Sequence, residues 1–328
     1  MSRSNDISSN MDIIRGKQGL LANPERLKGA VMAMGNFDGV HKGHQTLLNT
    51  AKRIANDRSC GVLTFDPHPA CFFAPSLAPP MIMPLEVRLQ TLASLGMNFT
   101  FVEHFDAALA SLTPEQFVKE YLHTRLGVAH VVVGYDFAFG KGRKGTTLDL
   151  VRLCTEIGMG VEIVPPVAVE GLVCSSTKIR EFILEGRVDG AELLLGRPFA
   201  VQGEVVKGAQ RGRLLGYPTA NIAAETELLP RPAIYAAFAQ VPQIGKLTQV
   251  AAAVSVGTNP TFQTNGTVSI EAHLLDFQGD LYGQRLRIDF IARLRDEQRF
   301  ENFEALIAAI ANDVSQTRDI LSKHPAKR

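Results

Sequence analysis

Residues 30–48 read AVMAMGNFDGVHKGHQTLL, and this stretch decides the fold of the first half of the chain. Apolar residues 30–33 predict a buried strand, GNFDG predicts a tight loop, and apolar residues at helical spacing after it predict a helix. His41, Lys42 and His44 then lie at the start of that helix, where backbone N–H groups lack partners and the helix dipole is positive. Cations are unfavourable there by themselves, so the pattern favours an anion site, most simply for a phosphate.

Two other roles for the histidine pair stay open at this point. His41 and His44 could make only local polar contacts, or they could supply half of a zinc site. Zinc is disfavoured because the sequence has no CxxC pair and no third or fourth ligand at a recognisable spacing. The loop is not a Walker A sequence either, since no Gly-Lys-Ser/Thr follows its glycines.

The bulk properties limit the class of protein. The chain has 328 residues and a net charge of +1, from 34 basic and 33 acidic side chains. It is therefore long enough for two domains and has no charge excess that would favour a nucleic acid partner. The first ten residues lack the apolar core of a signal peptide, and no apolar run is long enough to span a membrane. We expect a cytoplasmic protein with a disordered tail over residues 1–11 and no membrane partner.

The four cysteines are spaced singly along the chain. They lie within or beside apolar segments, which favours buried thiols in a reducing compartment over a disulfide framework. The residues are Cys60, Cys71, Cys154 and Cys174.

Two further loops in the first half carry candidate ligand-binding residues. Apolar residues 60–65 predict a strand that ends in TFDPHP, where prolines on both sides of His68 predict a rigid loop without helix. Residues 129–133 predict a strand covered on both faces, followed by GYDFAFGKGRKG at residues 134–145. Ligands bind at the carboxyl ends of strands in open α/β sheets. A stiff turn and a solvated charged loop are the plain alternatives.

A second helix start lies in VCSSTKIREFILEG, residues 173–186. Ser175 or Ser176 can cap this helix, yet capping does not explain Lys178 and Arg180 near its first turn. Their charge opposes the helix dipole and suits a phosphate. Alternating strands and helices throughout this half indicate a doubly wound parallel sheet.

The first half contains four motifs in a fixed order: GNFDGVHKGH, TFDPHP, the GYDFAFG loop and SSTKIR. With these motifs it resembles the adenylyltransferase module of prokaryotic bifunctional riboflavin kinase/FMN adenylyltransferases, also called FAD synthetases. The GxFDGxHxGH pattern resembles the signature of the nucleotidyltransferase superfamily, in which the histidines of HxGH contact the nucleotide phosphates and stabilise the pentavalent transition state. The resemblance gives this role to His41 and His44, with Arg180 as a third cation that neutralises phosphates.

The same resemblance implies the binding residues of the first half. The nucleotide site would contain Gly35, Asn36, Phe37, Asp38, Gly39, Gly43, Ser175, Ser176 and Thr177. The flavin site would contain Asp66, His68, Pro69, Asp136, Phe137 and Phe139. Aromatic core packing is an equal alternative for the two phenylalanines.

The pattern changes after residue 186. A short helix at residues 189–195 and a final helix at residues 303–321 flank segments of alternating character. These segments lie at residues 199–206, 234–241, 249–256, 268–275 and 286–294. Separated by Gly/Pro turns, they predict a small closed antiparallel barrel.

The barrel half contains two candidate binding segments. In YPTAN, Thr219 and Asn221 lie two apart, so in an extended chain both side chains face the same way and offer neutral oxygens to Mg²⁺. A Gly-rich hairpin followed by a polar turn is the plain alternative. In VSIEAHLLDF, a period of two puts Glu271 and His273 on the face opposite the apolar residues. The carboxylate is either a solvent-facing residue or a base that takes a proton from a hydroxyl.

This half resembles the riboflavin kinase module of the same family. The matching motifs are GxxxGRxLGxPTAN at residues 208–221, SVGTNPTF at 255–262, EAHLLDFQGDLYG at 271–283 and RLRDEQRF at 293–300. The resemblance implies a six-stranded barrel in which Thr219 and Asn221 bind Mg-ATP and Glu271 activates the riboflavin 5′-hydroxyl. It also implies nucleotide-binding residues within this half, namely Gly208, Gly212, Arg213, Gly216 and Pro218. Ala233 departs from the family, which usually has the more permissive glycine there.

The resemblances cover about residues 12–315 and lead to one hypothesis. Residues 12–186 would form an FMN adenylyltransferase domain, which transfers AMP from ATP to FMN and gives FAD and pyrophosphate. Residues 187–328 would form a riboflavin kinase domain, which makes FMN with Mg-ATP. We expect small-molecule substrates, and weak or transient self-association stays an open alternative.

Two rival hypotheses remain. One is a nucleotidyltransferase for another acceptor, with CMP or a pantetheine-like group, joined to an unrelated barrel. The other is a binding module whose barrel only senses flavin or RNA. PTAN and Glu271 disfavour both, and the near-neutral charge disfavours RNA.

Overall fold

The computed structural model consists of two compact units. It describes residues 11–208, 212, 215–226, 228–243, 246–258 and 268–324. Residues 11–80 and 84–174 form the first unit, and residues 81–83 join the described residues from 175 onwards in the second. The division after Cys174 precedes the predicted domain boundary at residue 186, and the predicted domain limits stay a prediction.

The first unit is built on a six-stranded parallel sheet. Its strands are β1 (Asp12–Arg15), β2 (Val31–Met34), β3 (Cys60–Phe65), β4 (Phe99–Glu103), β5 (His130–Gly134) and β6 (Gly160–Val164). They pair in the order β1-β4-β3-β2-β5-β6, which confirms the predicted doubly wound sheet. The sequence did not predict β1, because only Ile14 of its four residues is buried and gives no periodic pattern.

Helices connect these strands. They are α1 (Gly16–Ala22), α2 (Lys42–Ala55), α3 (Pro69–Phe73), α4 (Leu85–Ser94), α5 (Ala107–Ser111) and α6 (Thr147–Glu156), with a π-helical segment at Gln116–Arg125 and 3₁₀ turns at Pro75–Leu77 and Lys141–Arg143. A two-residue pair, β7 (Ala168–Val169) and β8 (Leu172–Val173), ends the unit. The prediction that prolines exclude a helix beside His68 is wrong, because α3 begins at Pro69. Proline is tolerated at the first helical position, where its missing N–H has no partner to lose.

The strand order places a binding crevice. The chain runs from β2 through β3 to β4 on one side and then returns to β5 on the other side of β2. The connections after β2 and β5 therefore leave in opposite directions, and ligands bind at such switch points, beyond the carboxyl ends of the strands. Residues 35–41 follow β2 and residues 135–146 follow β5.

The second unit is a closed antiparallel barrel with helices around it. Its strands are β9 (Phe199–Val206), β10 (Ala220–Ala224), β11 (Ala233–Gln243), β12 (Lys246–Thr258), β13 (Val268–Leu274) and β14 (Arg285–Arg295), and its helices are α7 (Ser176–Leu184), α8 (Val188–Leu195) and α9 (Phe303–Lys323). The strands close in the order β10-β13-β12-β11-β14-β9. The predicted barrel and C-terminal helix are confirmed; β10, the sixth strand, was implied only by the family resemblance.

The barrel wall alternates as the sequence predicts. Ile270, Ala272 and Leu274 of β13 are buried, whereas Glu271 and His273 lie on the other face. A bidentate ion pair holds α9 to the end of β14, since Arg295 donates from Nε and Nη2 to the carboxylate of Asp313 at 2.9 and 2.6 Å.

The four cysteines are free thiols. Cys60, Cys154 and Cys174 are buried, and burial raises the pKa of Cys60 and of Cys154 to about 11. Cys60 and Cys154 are therefore protonated and unreactive at neutral pH. Among the helices that the structure describes, none is long and apolar enough to cross a membrane.

Candidate functional sites

Two histidines start helix α2 at the crevice. His41 is the N-cap, and its Nδ1 accepts a hydrogen bond from the backbone N–H of His44 at 3.3 Å. The two imidazole rings stack, with centroids 3.7 Å apart and planes 16° apart. Gly43 permits this arrangement, because a Cβ there would lie 3.1 Å from the His41 ring. The HxGH spacing thus produces one compact pair of imidazoles at a helix start.

The loop that leads into this helix has an unusual backbone. Phe37 and Val40 have φ angles of +53° and +41°, and Gly39 lies between them at +81°. A non-glycine residue in this region costs about 1–3 kcal/mol and persists only where surrounding contacts hold it. The Phe37 ring lies 5.1 Å from the His44 ring, which ties the loop to the helix start.

A buried arginine, Arg88, forms a hydrogen bond to the backbone of the same loop. Arg88 of α4 is 2% exposed and donates from Nη1 to the Asn36 carbonyl at 2.6 Å. Thr64 Oγ1 donates to the same oxygen at 3.1 Å. Sequence reasoning missed Arg88, although it shares an apolar helix face with Leu92, four residues later, and a charge on such a face is a signal in itself.

The TFDPHP segment ends in a helix cap and an aromatic cluster. His68 caps α3, because its Nδ1 accepts from the backbone N–H of Ala70 at 3.1 Å. Phe72, Phe73 and Phe105 form a group of rings with centroids 5.2–5.7 Å apart. Phe73 is 60% exposed. Sequence reasoning missed this cluster, because Phe72 and Phe73 come from α3 and Phe105 comes from the segment after β4.

The loop after β5 contains the remaining predicted flavin residues. Asp136 is exposed, whereas Phe139 is buried in the core of the unit beside Phe117, with ring centroids 5.6 Å apart. Phe137 stacks on Phe139 at 5.7 Å and packs against the same core. Both rings therefore pack in or against the core of the unit, as the core-packing alternative states. Their contacts with a flavin stay a prediction.

Helix α7 carries the predicted SSTKIR residues. Ser175 is its N-cap and accepts from the backbone N–H of Lys178 at 3.2 Å. The Lys178 ammonium pairs with Glu181 at 2.9 Å, so much of its charge is balanced on the helix itself. These residues, with Arg180, belong to the second unit, and their contribution to the histidine site stays a prediction.

A second polar cluster lies on the outer wall of the barrel. Asn221 of β10 is directly opposite Glu271 of β13 in the antiparallel ladder, so their side chains are neighbours on one face. Thr219 Oγ1 donates to Glu271 Oε2 at 3.4 Å. His273 contacts the Pro218 carbonyl through Nδ1 at 2.9 Å, which fixes the turn that precedes Thr219.

Glycines allow the neighbouring backbone to approach this cluster. A Cβ on Gly208 would overlap the Asn221 side chain, and a Cβ on Gly212 would overlap the Tyr217 carbonyl. Gly216 has a φ of +82°, which favours glycine. Arg213 and residues 259–262 of SVGTNPTF lie outside the described residues.

The cluster offers hard oxygen ligands. Thr219, Asn221 and Glu271 supply a hydroxyl, an amide oxygen and a carboxylate, which are groups that suit Mg²⁺. In the described ranges, no group of three or more His, Cys, Asp or Glu side chains is arranged to hold a metal ion.

One further carboxylate lies beside a motif strand. Glu297 of RLRDEQRF packs so closely on Gly257 of β12 that a Cβ there would overlap its carboxylate. Burial raises the pKa of Glu297, while nearby Arg295 acts in the opposite direction. Sequence reasoning did not single out Glu297, since its contact partner lies far away in the chain.

Each half of the chain matches a known protein family. The FAD synthetase family matches residues 23–178, and the riboflavin kinase family matches residues 195–321. A bifunctional riboflavin kinase/FMN adenylyltransferase of Listeria monocytogenes is 37% identical over 89% of this chain and 93% of the relative. The Escherichia coli protein of the same name is 35% identical over 94% of this chain and 97% of the relative.

A solved structure shares the architecture. It is described as a macrolide-efflux protein from Streptococcus pneumoniae, with a TM-score of 0.79 and 31% identity over 89% of this chain and 94% of that one. The sequence relatives match nearly the whole chain, and the chain itself matches both family models, which confirms the resemblance seen in the motifs. The chain belongs to the family of bifunctional riboflavin kinase/FMN adenylyltransferases.

Proposed function

We propose that the two reactions of the family are divided between the two units of this chain. The barrel phosphorylates riboflavin to FMN with Mg-ATP, and the sheet unit transfers AMP from a second ATP to FMN, giving FAD and pyrophosphate. The observation that carries this division is the presence of two chemically different polar clusters, one in each of the segments that match the two family domains. One contains stacked histidines at a helix start, and the other contains a carboxylate among neutral oxygens.

In the sheet unit, the phosphate of FMN attacks the α-phosphorus of ATP and pyrophosphate leaves. The reaction needs charge neutralisation and in-line positioning more than covalent catalysis. His41 and His44 donate to phosphate oxygens, and the positive end of the α2 dipole adds to their effect.

The flavin substrate binds beside the nucleotide in the loops after β3 and β5. Asp66, His68, Pro69 and Asp136 supply polar and rigid edges. The exposed rings of Phe72 and Phe73, which pack on Phe105, add an apolar surface for the planar isoalloxazine.

In the barrel, Glu271 takes the proton from the riboflavin 5′-hydroxyl, whose oxygen then attacks the γ-phosphorus of ATP. Thr219 and Asn221 would hold Mg²⁺ at this site. When bound, the ion neutralises the charge of the phosphate oxygens. The nucleotide contacts come from Gly208, Gly212, Arg213, Gly216 and Pro218.

We also propose that the protein acts in the cytoplasm on small-molecule substrates. The near-neutral net charge and the absence of long apolar runs in the sequence support this proposal.

The proposal is tested by incubating the purified chain with riboflavin and Mg-ATP and separating the flavins by chromatography. We expect FMN and FAD from riboflavin, and FAD from supplied FMN. FAD from FMN without any FMN from riboflavin would mean that the barrel only binds flavin. Neither product from either substrate would overturn the flavin assignment and direct the search to other nucleotidyl acceptors.

A further inference from the structure

Arg88 lies between two loops of the proposed adenylyl-transfer site. Besides its 2.6 Å bond to the Asn36 carbonyl, it donates from Nη2 to the Phe65 carbonyl at a longer 3.5 Å. Asn36 belongs to the loop after β2, and Phe65 ends the neighbouring strand β3, directly before Asp66. One buried guanidinium therefore joins the carboxyl ends of two adjacent strands.

The bond to Asn36 also fixes a peptide orientation. The Asn36 carbonyl accepts from both Arg88 and Thr64. Because a trans peptide is planar, a carbonyl held by two donors fixes the N–H of Phe37 in the opposite direction. Phe37 is the first residue of the loop with a positive φ, so this peptide sets the path of the chain into the histidine pair.

The charge of Arg88 is energetically unfavourable at this depth. Burial lowers the pKa of its guanidinium, while the carboxylates of Asp38 and Asp66 act in the opposite direction. Asp38 is itself only 2% exposed. Arg88 Nε has no hydrogen-bond partner within the described part of the chain. An apolar side chain would avoid this penalty, but it would remove a compensating charge from the buried Asp38 carboxylate and two donors from the Asn36 and Phe65 carbonyls. The guanidinium therefore serves the loops that it contacts.

We propose that Arg88 is a positioning residue for adenylyl transfer, one that orients the loops of residues 35–41 and 66–69 without contacting nucleotide or flavin. The inference rests on the proposed assignment of adenylyl transfer to the first unit. Arg88 lies outside all the sequence motifs that carry the family resemblance.

The test uses the full chain with Arg88→Met, which removes the donors and keeps a side chain of similar length. We expect kcat for FAD formation from FMN to fall about 10²-fold, the effect of a displacement of about 1 Å in a site that works by positioning. The riboflavin kinase activity of the same molecules, measured below the unfolding transition, stays close to wild type. The thermal unfolding midpoint falls, because the buried Asp38 carboxylate loses a compensating charge. Arg88→Lys keeps one donor for Asn36 and recovers part of the loss.

Chemical rescue separates positioning from folding. In Arg88→Ala, millimolar guanidinium, well below denaturing concentrations, can occupy the vacated space and donate to the Asn36 carbonyl. We expect it to raise kcat for FAD formation with saturation. The control is Lys52→Met, which removes another cation-to-carbonyl bond of the same unit, Lys52 Nζ to Leu95 O at 2.9 Å. It should retain both activities and show no response to guanidinium.

Wild-type FAD formation in Arg88→Met would overturn the inference. So would a loss that tracks unfolding, with no recovery in Arg88→Lys and no rescue of Arg88→Ala, because Arg88 would then serve stability alone. If His41→Ala abolishes FAD formation while Arg88→Met does not, the site assignment stands and only this inference fails. A wild-type chain that makes no FAD from FMN overturns the proposed function itself.

Discussion

The two proposed sites place their reactive groups by different physical means. In the barrel, Asn221 and Glu271 face each other because the antiparallel ladder pairs them. In the sheet unit, His41 and His44 lie at the start of a helix that follows a loop with positive φ angles. Arg88 hydrogen-bonds to the Asn36 carbonyl of this loop. A site built on strands needs only the right register, whereas a site built on loops also needs supporting contacts from distant parts of the chain. The following predictions test this difference, from the largest expected effect to the smallest.

Glu271→Gln should almost abolish the kinase reaction. The amide keeps the size and the ladder of β13 but cannot accept the proton of the riboflavin hydroxyl, so FMN formation should fall by about 10²–10⁴. FAD formation from supplied FMN should not change. The matched control is Glu204→Gln, which alters an exposed carboxylate on β9 of the same barrel. Full FMN formation by Glu271→Gln would exclude Glu271 as the base.

His41→Asn and His41→Ala separate helix capping from chemistry. Asparagine is a good N-cap, so only the alanine variant should lose about 1 kcal/mol of stability. Both lack the imidazole, and both should lose FAD formation by about 10²–10³, the effect of removing one donor to a developing charge. Rates of FMN and FAD formation and thermal unfolding are measured for both. Normal FAD formation by His41→Asn would reduce the role of His41 to the cap.

Gly208→Ala tests whether the strand-built site also depends on close backbone approach. The added methyl would overlap the Asn221 side chain, and overpacking of about 1–3 kcal/mol, if it acts on binding, corresponds to roughly a 5- to 150-fold rise in KM for Mg-ATP. Adenylyl transfer by the same protein is the internal control. An unchanged KM would show that register alone determines this site.

His130→Gln should give the smallest effect, on stability alone. Burial lowers the pKa of His130, and Arg58 adds to this shift while Glu162 opposes it. The unfolded chain therefore binds the proton more readily, so wild-type stability is full above about pH 6.5 and is lost as the pH falls through the folded-state pKa. Thermal unfolding at pH 8 and pH 5 should show a smaller drop for His130→Gln than for wild type. Equal drops would contradict the expected linkage.

Much of both sites could be predicted from local sequence patterns. The boundaries of β3 and β9 agree with the predicted segments, because hydrophobic periodicity and turn residues act over a few positions. His41 and Glu271 were found in the same way, one as a cation at a helix start and the other as a carboxylate in mid-strand.

Local sequence patterns specify the elements and motifs of this chain. These are the parallel sheet and the barrel, the HxGH helix start, and the alternation that turns Glu271 out of the barrel interior. Only the tertiary structure decided which distant residues meet. Arg88 reaches Asn36 across 52 positions, and Thr219 reaches Glu271 across the same separation. The physical reason is that periodicity and turn chemistry depend on neighbours along the chain, whereas these contacts depend on strand order, register and helix packing.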